Sequence, residues 1–355
     1  TGAKQAAEQT AAHFIDFNTV LARRFDALDK EVVDAIFCGT DHTHTSPKGA
    51  SFCAAVLAEE IRQLDACDLG SHLLPADLWM PSVFADHMVL QREIPVPLWG
   101  TARPNTEVTV TFDDTSVSAR SDPRGNWQID LPALKAGGPH VLEVTSSSAT
   151  HRVRDILVGE VWLCSGQSNM DFTVAPSARR PWAGTRDWKT EVATAKFPML
   201  RTFSAEWTMH EAPQNDVAGR WQTCSPETVG EFSAVAYFFG RDLHQDLDGP
   251  IGLLNCAYGG STAEAWTSAE KLAAHPQLQP LVKIFSQKRR AFRDNPRAME
   301  EYGRAMARWR ASRSTKARPP RHPDPVQDKH NPSVLFNGMI APLIPYGIRG
   351  AIWYQ

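Results

Sequence analysis

Residues 160–170 read Glu-Val-Trp-Leu-Cys-Ser-Gly-Gln-Ser-Asn-Met, an apolar run followed at once by a turn that contains glycine. A second apolar run, Ile251 to Cys256, leads into Tyr-Gly-Gly-Ser-Thr at 258–262, and a third spans Ile348 to Tyr354. Near-continuous apolar strands followed by glycine loops are typical of a buried parallel sheet in an α/β fold. Ligands of such folds bind at the carboxyl ends of the strands. We therefore expect a functional site on these loops.

Ser168 stands just after the first apolar strand, at a turn that opens a helix, where a serine can present its hydroxyl at the edge of the sheet. Unfilled amides at the start of that helix can bind the oxyanion that forms when a serine attacks an ester carbonyl. Gly259 and Gly260 let a second loop bring its backbone N–H groups close to a ligand. The alternatives are that Ser168 only caps the helix and that residues 262–264 only start another.

A second candidate pair lies near the N-terminus. Asp41 and His44 follow a predicted strand, Val32 to Phe37, on a loop that enters a helix with Ser46 as its N-cap. At this spacing the carboxylate can orient the imidazole while the imidazole acts as a general base. His44 could equally be a residue of a surface loop.

The chain divides into three predicted regions. Residues 1–74 form a first unit, and residues 75–157 form a linker and a small β-sandwich with alternating apolar positions and frequent turn signals. Residues 158–355 carry the strand–loop–helix pattern, interrupted at about 269–330 by a helical, Arg-rich insertion. A solvated insertion explains these arginines better than a nucleic-acid surface, because the regular aromatic interleaving of a base-stacking platform is missing.

Composition narrows the partners. The 355 residues carry a net charge of -3, which gives no overall field to attract nucleic acid or an anionic membrane surface, so neither partner is predicted. No apolar run approaches the roughly 20 residues that a membrane span needs. The six cysteines form no CxxC pair, so neither a zinc site nor a disulfide framework is indicated.

Four ordered stretches resemble the SGNH-type hydrolases, specifically the sialate O-acetylesterase-like carbohydrate esterases. They are Ser165-Gly166-Gln167-Ser168-Asn169-Met170, Val83-Phe84-Ala85-Asp86-His87-Met88-Val89-Leu90-Gln91, Ala257-Tyr258-Gly259-Gly260-Ser261, and Asn337-Gly338-Met339-Ile340-Ala341-Pro342-Leu343 running on to Trp353-Tyr354-Gln355. The resemblance covers about residues 79–355. It implies an α/β fold of the SGNH (flavodoxin-like) type, a parallel sheet with helices on both faces, beside the small β-sandwich.

The resemblance also implies roles for single residues. Ser168 matches the nucleophile that takes the acetyl group, and its backbone N–H forms the oxyanion hole together with Gly259 or Gly260. The reaction is the removal of O-acetyl groups from a sugar, and it needs no metal or organic cofactor. Relatives continue after Trp-Tyr-Gln with Gly-Glu-Ser-Asn and later supply an Asp-x-x-His. This sequence ends at Gln355, so the base that serves Ser168 is not assigned.

Residues 1–74 resemble something else, the C-terminal end of a rhamnogalacturonan acetylesterase-like SGNH domain, through residues 14–16 and 41–46. By that resemblance Asp41 and His44 are the acid and base of a first catalytic domain whose own serine lies upstream. The chain is then expected to be a fragment of a tandem esterase. In a second arrangement, Asp41 and His44 fold back onto Ser168.

The predicted function is a serine carbohydrate O-acetylesterase with an acetylated carbohydrate as its substrate. One alternative is a catalytically incomplete carbohydrate-binding or scaffold protein, and another is a lipase or thioesterase that uses the same chemistry. The sequence leaves open the sugar and the oligomeric state. The family resemblance implies export to a periplasm or to the extracellular space, although no residue of the sequence shows it.

Overall fold

A computed structural model describes most of the chain. The described residues are 4, 7, 12–26, 33–34, 36–38, 41–62, 64, 77–147, 149–177, 180–181, 183–312 and 318–355. Within these ranges, no helix is both long and apolar enough to cross a membrane.

The described elements are fourteen strands, eight α-helices and several short helical turns. The strands are β1 (Phe37–Cys38), β2 (Asp41–Thr45), β3 (Leu78–Trp79), β4 (Val89–Gln91), β5 (Val96–Ala102), β6 (Glu107–Phe112), β7 (Thr115–Arg120), β8 (Asn126–Leu131), β9 (Gly137–Thr145), β10 (Thr150–Gly166), β11 (Phe197–Ala205), β12 (Gly219–Cys224), β13 (Ile251–Ala257) and β14 (Gly350–Tyr354). The helices are α1 (Phe17–Asp26), α2 (Pro47–Arg62), α3 (Ser168–Asp171), α4 (Trp188–Thr194), α5 (Ala234–Leu247), α6 (Ala269–Ala274), α7 (Gln279–Arg293) and α8 (Ala298–Ala311). The 3-10 turns are Val229–Glu231, Ala263–Trp266, Pro325–Gln327 and Ala341–Leu343, and a π-helical turn spans Phe336–Ile340.

The predicted parallel sheet is present, and its strands end in register. Strands β11, β13, β10 and β14 lie side by side and parallel, and β12 closes one edge in the antiparallel sense. Gly166, the last residue of β10, pairs with Ala257 of β13 on one side and with Tyr354 of β14 on the other. The loops that leave β10 and β13 therefore meet at one edge of the sheet, as the sequence predicts.

Apolar side chains cover this sheet on both faces. In β13, Ile251 and Leu253 pack with Tyr237 of α5 on one face, whereas Leu254 belongs to the core on the other face, which also holds Met339. A strand that is buried on both faces needs a continuous apolar run, which explains the sequence pattern. The prediction of an α/β fold is confirmed.

Strand β10 belongs to two parts of the molecule at once. Its first half, Thr150 to Val158, pairs antiparallel with β9, and its second half, from Glu160, pairs parallel with β13. The apolar positions that alternate in β6 and β8 are buried in a core that continues onto one face of the parallel sheet. The boundary predicted between residues 157 and 158 therefore falls inside one strand, and the three-domain division stays a prediction.

The N-terminal part differs from the sequence prediction in two places. The strand predicted over Val32 to Phe37 is wrong, because residues 33, 34 and 36 are helical and only Phe37–Cys38 is extended. Ile36 is nevertheless buried, and a short buried apolar run fits a helix as well as a strand.

The second difference concerns residues 41–45, which form strand β2 and not a loop, because they turn back and pair with β1. The start of α2 is as predicted. The Gly49 N–H donates a hydrogen bond to Ser46 Oγ at 3.1 Å, as an N-cap requires. The helix ends at Arg62.

Candidate active site

Ser168 is the first residue of α3, directly at the carboxyl end of β10. Gly166 makes this position possible, since it has φ +139° and a Cβ there would lie 2.2 Å from the Tyr354 carbonyl oxygen. Only glycine accepts that conformation and that close approach without strain. The N-cap of α3 is Gln167, and it makes no side-chain cap hydrogen bond. The alternative role of Ser168 as the helix cap is therefore wrong.

Gln167 joins the two loops of the site. Its Oε1 accepts a hydrogen bond from Ser168 Oγ at 3.0 Å and a second one from the Gly260 N–H at 3.2 Å. The Gln167 N–H in turn donates to the Tyr354 carbonyl oxygen at 3.0 Å. One side chain thus holds the serine hydroxyl and the second loop in a fixed relation, at the edge where three strands end.

Gly259 faces the serine. A Cβ built on Gly259 would lie 3.6 Å from both Cα and Cβ of Ser168 and 3.4 Å from Asp171 Oδ2. The Gly259 N–H points towards the same Asp171 oxygen, at 3.4 Å. The absence of a side chain therefore leaves a space beside Ser168, with a backbone donor at its border. The sequence predicts both glycines at the site, and the structure brings both of them to the serine loop.

A buried ion pair lies at the end of α3, the helix that begins with Ser168. Asp171, whose side chain is 3% exposed, accepts a hydrogen bond from Arg180 at 2.5 Å. Burial raises the pKa of Asp171 because it disfavours the charged form, and the Arg180 guanidinium offsets part of that shift. The carboxylate and the guanidinium fix the end of α3 relative to the chain that follows it.

The second loop rests on a stack of four side chains. The Arg180 guanidinium lies over Trp207 at 4.9 Å, and Trp207 stacks on Tyr258 with ring centroids 4.6 Å apart and planes 3° from parallel. The Lys329 ammonium lies 4.5 Å from the centre of the Tyr258 ring and donates a hydrogen bond to the Gly259 carbonyl oxygen. Burial lowers the pKa of Lys329, while the Asp171 carboxylate opposes that shift. Cations over aromatic faces are electrostatically favourable.

The sequence does not predict these four supports of the site. Arg180, Trp207 and Lys329 lie on three separate connecting segments, and only Arg180, nine residues after Asp171, is near a glycine loop in sequence. None of them stands in a motif with a characteristic spacing. Tyr258 belongs to the second glycine loop, but no pattern in a single sequence pairs its ring with Trp207. We find no local signal that could have assigned them.

The roles of Asp41 and His44 as acid and base stay a prediction. Asp41 and His44 belong to β2 in a separate two-stranded sheet, and their side chains lie outside the described residues. Within the described ranges, no histidine side chain is hydrogen-bonded to Ser168 Oγ, whose partner is Gln167. A different acid–imidazole pair, Asp328 with His330, has Oδ1 and Nδ1 2.6 Å apart on the segment that carries Lys329. The base for Ser168 stays unassigned.

The fold and the two loops define the class, an α/β protein whose mostly parallel sheet is consistent with an SGNH-like fold. Residues 158–315 match the family of carbohydrate esterases described as sialic acid-specific acetylesterases. The chain is related to this family, and the resemblance seen in the sequence over residues 79–355 is confirmed. The further resemblance of residues 1–74 to a rhamnogalacturonan acetylesterase-like domain stays a prediction.

Particular relatives support this relation. Sialate O-acetylesterase from Rattus norvegicus is 32% identical over 303 residues, which are 77% of this chain and 51% of the rat protein. The protein of the same name from Homo sapiens is 30% identical over 315 residues, 80% of this chain and 51% of its own length. The crystal structure of a carbohydrate acetylesterase from Xanthomonas citri, 33% identical, superposes with a TM-score of 0.59 over 78% of this chain and 51% of that one. The chain therefore spans about half the length of the relatives it matches.

Proposed function

We propose that this chain carries the nucleophile and the oxyanion-binding loops of a serine O-acetylesterase that acts on acetylated carbohydrates. The observation that carries the proposal is the space beside Ser168, bordered by the Gly259 N–H, where three strands end together. O-acetylated sialic acid is the first substrate to try, since the curated relatives bear the name sialate O-acetylesterase.

The reaction has two balanced halves. In the first, Ser168 Oγ forms a bond to the acetyl carbonyl carbon while a base removes the hydroxyl proton. The tetrahedral intermediate collapses, the bond from the carbonyl carbon to the sugar oxygen breaks, and the sugar leaves as an alcohol with the proton from the base. In the second half, water attacks the acetyl-serine, and acetate leaves with regeneration of Ser168.

Backbone amides stabilise the charge in this proposal. The Ser168 and Gly259 N–H groups donate to the oxyanion, and the carbonyl oxygen of the substrate displaces Asp171 Oδ2 from its long contact with Gly259. The Gly260 N–H already donates a hydrogen bond to Gln167 Oε1 at 3.2 Å. We therefore assign the oxyanion to the Gly259 N–H in preference to that of Gly260.

The test compares the unchanged chain with Ser168→Ala, using acetate release from p-nitrophenyl acetate and from acetylated sialic acid, xylan and pectin. We expect release from at least one sugar substrate and a loss of about 10³-fold or more in the variant, because the nucleophile is removed. Ser286→Ala is the matched control, since Ser286 is exposed on α7.

Two results would contradict the proposal. One is acetate release that survives in Ser168→Ala, and the other is no release above background from any acetylated substrate. A third result separates the reaction classes. Faster cleavage of long-chain p-nitrophenyl esters than of acetylated sugars would favour the lipase or thioesterase alternative.

A further inference from the structure

A cavity of about 450 Å³ lies away from Ser168, between the small sheet β3–β5–β8 and the segment 341–345. We call it the tryptophan cavity, because Trp79, Trp99 and Trp127 are among its lining residues. Gln214 and Asn215 approach from a third part of the chain. Its volume lies in the range of ordinary ligand pockets, roughly 300–1,000 Å³.

The register of the small sheet places two tryptophans on its outer face. Trp79 is paired with Thr101, and Thr101 is paired with Asn126 on its other side. Trp99, two residues before Thr101 in β5, is paired with Gln128. Directly opposed residues point to the same face, and residues two apart on one strand lie about 7 Å from each other. The outer face therefore presents two indoles in adjacent rows with polar side chains beside them.

Packing supports the backbone at Trp79 and the ring of Trp99. A Cβ on Gly100 would lie 2.0 Å from the Trp79 carbonyl oxygen, so the glycine is what allows β3 to approach β5 at Trp79. The Trp99 ring packs edge-on against Phe84 of the core, with centroids 4.6 Å apart. Trp79 and Trp99 are only partly buried. Fixed aromatic surface of this kind costs little conformational entropy when a ligand covers it.

The charges select the class of ligand. Asp122 is the one ionisable residue among the described lining residues, and its carboxylate accepts hydrogen bonds from the backbone N–H groups of Arg124 and Asn126, both at 2.8 Å. A nucleotide or an acidic sugar needs cations that this lining does not offer. A lipid chain does not match the amide groups of Gln128, Gln214 and Asn215. Flat apolar faces beside uncharged amides suit a ligand with apolar C–H faces and many hydroxyls.

We propose that the tryptophan cavity binds a neutral oligosaccharide segment, at a place separate from the Ser168 loops. Sugar rings lie against Trp79 and Trp99, while Thr101, Gln128 and the amides of the opposite wall bond the hydroxyl groups. This site does not depend on the proposed esterase chemistry. It also gives a physical basis to the alternative interpretation of the chain as a carbohydrate-binding protein.

The experiment measures binding by isothermal titration calorimetry on the Ser168→Ala chain, so that no hydrolysis occurs. The probes are the neutral hexasaccharides of xylose, glucose and mannose, with hexagalacturonate and sialyllactose as anionic comparisons. We expect at least one neutral hexasaccharide to bind and Trp79→Ala to weaken its binding about 10-fold or more, as loss of a central aromatic contact does. The matched control is Trp188→Ala, which removes a partly buried tryptophan from α4 and is expected to leave the affinity unchanged.

A second measurement covers the case in which Trp79→Ala folds poorly. In the chain labelled with 5-fluorotryptophan, fluorine NMR is expected to show that the bound hexasaccharide shifts the resonances of Trp79 and Trp99 and leaves that of Trp188 in place. The proposal is overturned if no neutral hexasaccharide binds at millimolar concentration, if the anionic probes bind as tightly, or if the only shifted resonances belong to tryptophans outside the cavity.

Discussion

The Ser168 loops and the tryptophan cavity are built from different kinds of contact. At the Ser168 loops, charged groups are buried in pairs, as in Asp171 with Arg180, and a stack of cations and rings supports the second loop. The tryptophan cavity is lined by indoles, by amides and by one carboxylate, that of Asp122, which accepts a hydrogen bond from the Arg124 N–H. The first arrangement fixes backbone donors and a nucleophile in place, whereas the second offers a flat surface. The comparison separates a region suited to chemistry from a region suited to binding.

Breaking the buried ion pair is expected to have the largest effect on stability. In Arg180→Met the Asp171 carboxylate loses its partner, which lowers the free energy of unfolding by about 3–5 kcal/mol at neutral pH. Urea unfolding at several pH values measures the loss. Arg241→Met is the matched control, because Arg241 pairs with the partly exposed Glu191 at 3.0 Å, and a loss of no more than about 1 kcal/mol is expected there.

The same variant has a pH dependence whose sign follows from Asp171. Burial raises its pKa in the folded state, and removal of Arg180 raises it further. Because the pKa is raised in the folded state, protonation of Asp171 favours folding. Its contribution to the free energy of unfolding is fully present below the ordinary carboxyl pKa, and it is lost as the pH rises through the raised pKa. We expect the deficit of Arg180→Met to be small in acid and to grow towards neutral pH. A deficit of equal size at every pH would contradict this account of the pair.

A smaller effect, on catalysis, is expected from the substitution Gly259→Ala. Gly259→Ala adds a methyl group whose contacts, at 3.4 to 3.6 Å, are ordinary packing distances, so we expect the fold to persist. The methyl group narrows the space beside Ser168, and kcat/KM for acetylated substrates is expected to fall roughly 10- to 100-fold. Binding of neutral hexasaccharides should not change.

Gly303→Ala is the matched control for that variant, because a Cβ at Gly303 meets nothing within 4 Å. It is expected to keep both activity and binding. If Gly259→Ala were as active as Gly303→Ala, the space beside Ser168 would not be where the acetyl group binds.

The sequence predicts the parts of the fold that depend on local patterns. The apolar runs that become β10, β13 and β14, and the glycine loops after the first two, are visible because burial on both faces and close backbone approach each require particular residue types. Ser168 can be identified for the same reason, since its place after a strand is a local feature. The α/β class follows from these few segments.

The parts of the fold and of the site that the sequence does not predict depend on contacts between separate segments of the chain. Arg180 lies over Trp207, and Trp207 and Lys329 contact Tyr258, only because the chain brings three connecting segments together. No spacing in the sequence marks these contacts. The strand predicted around Ile36 is wrong because a buried apolar run of a few residues fits a helix or a strand. The continuity of β10 is not visible in the sequence because Asp155, with φ +53° beside an irregular register, interrupts the alternation inside one strand.

The central claim is that Ser168 takes the acetyl group, and the most direct test is to find that group on it. The chain is mixed with p-nitrophenyl acetate, quenched in acid within the first turnovers and digested, and its peptides are analysed by mass spectrometry. The account predicts the mass increment of one acetyl group on the peptide that contains Ser168, and its absence in Ser168→Ala. Acetate release without this increment, or with the acetyl group on another residue in both chains, would contradict it.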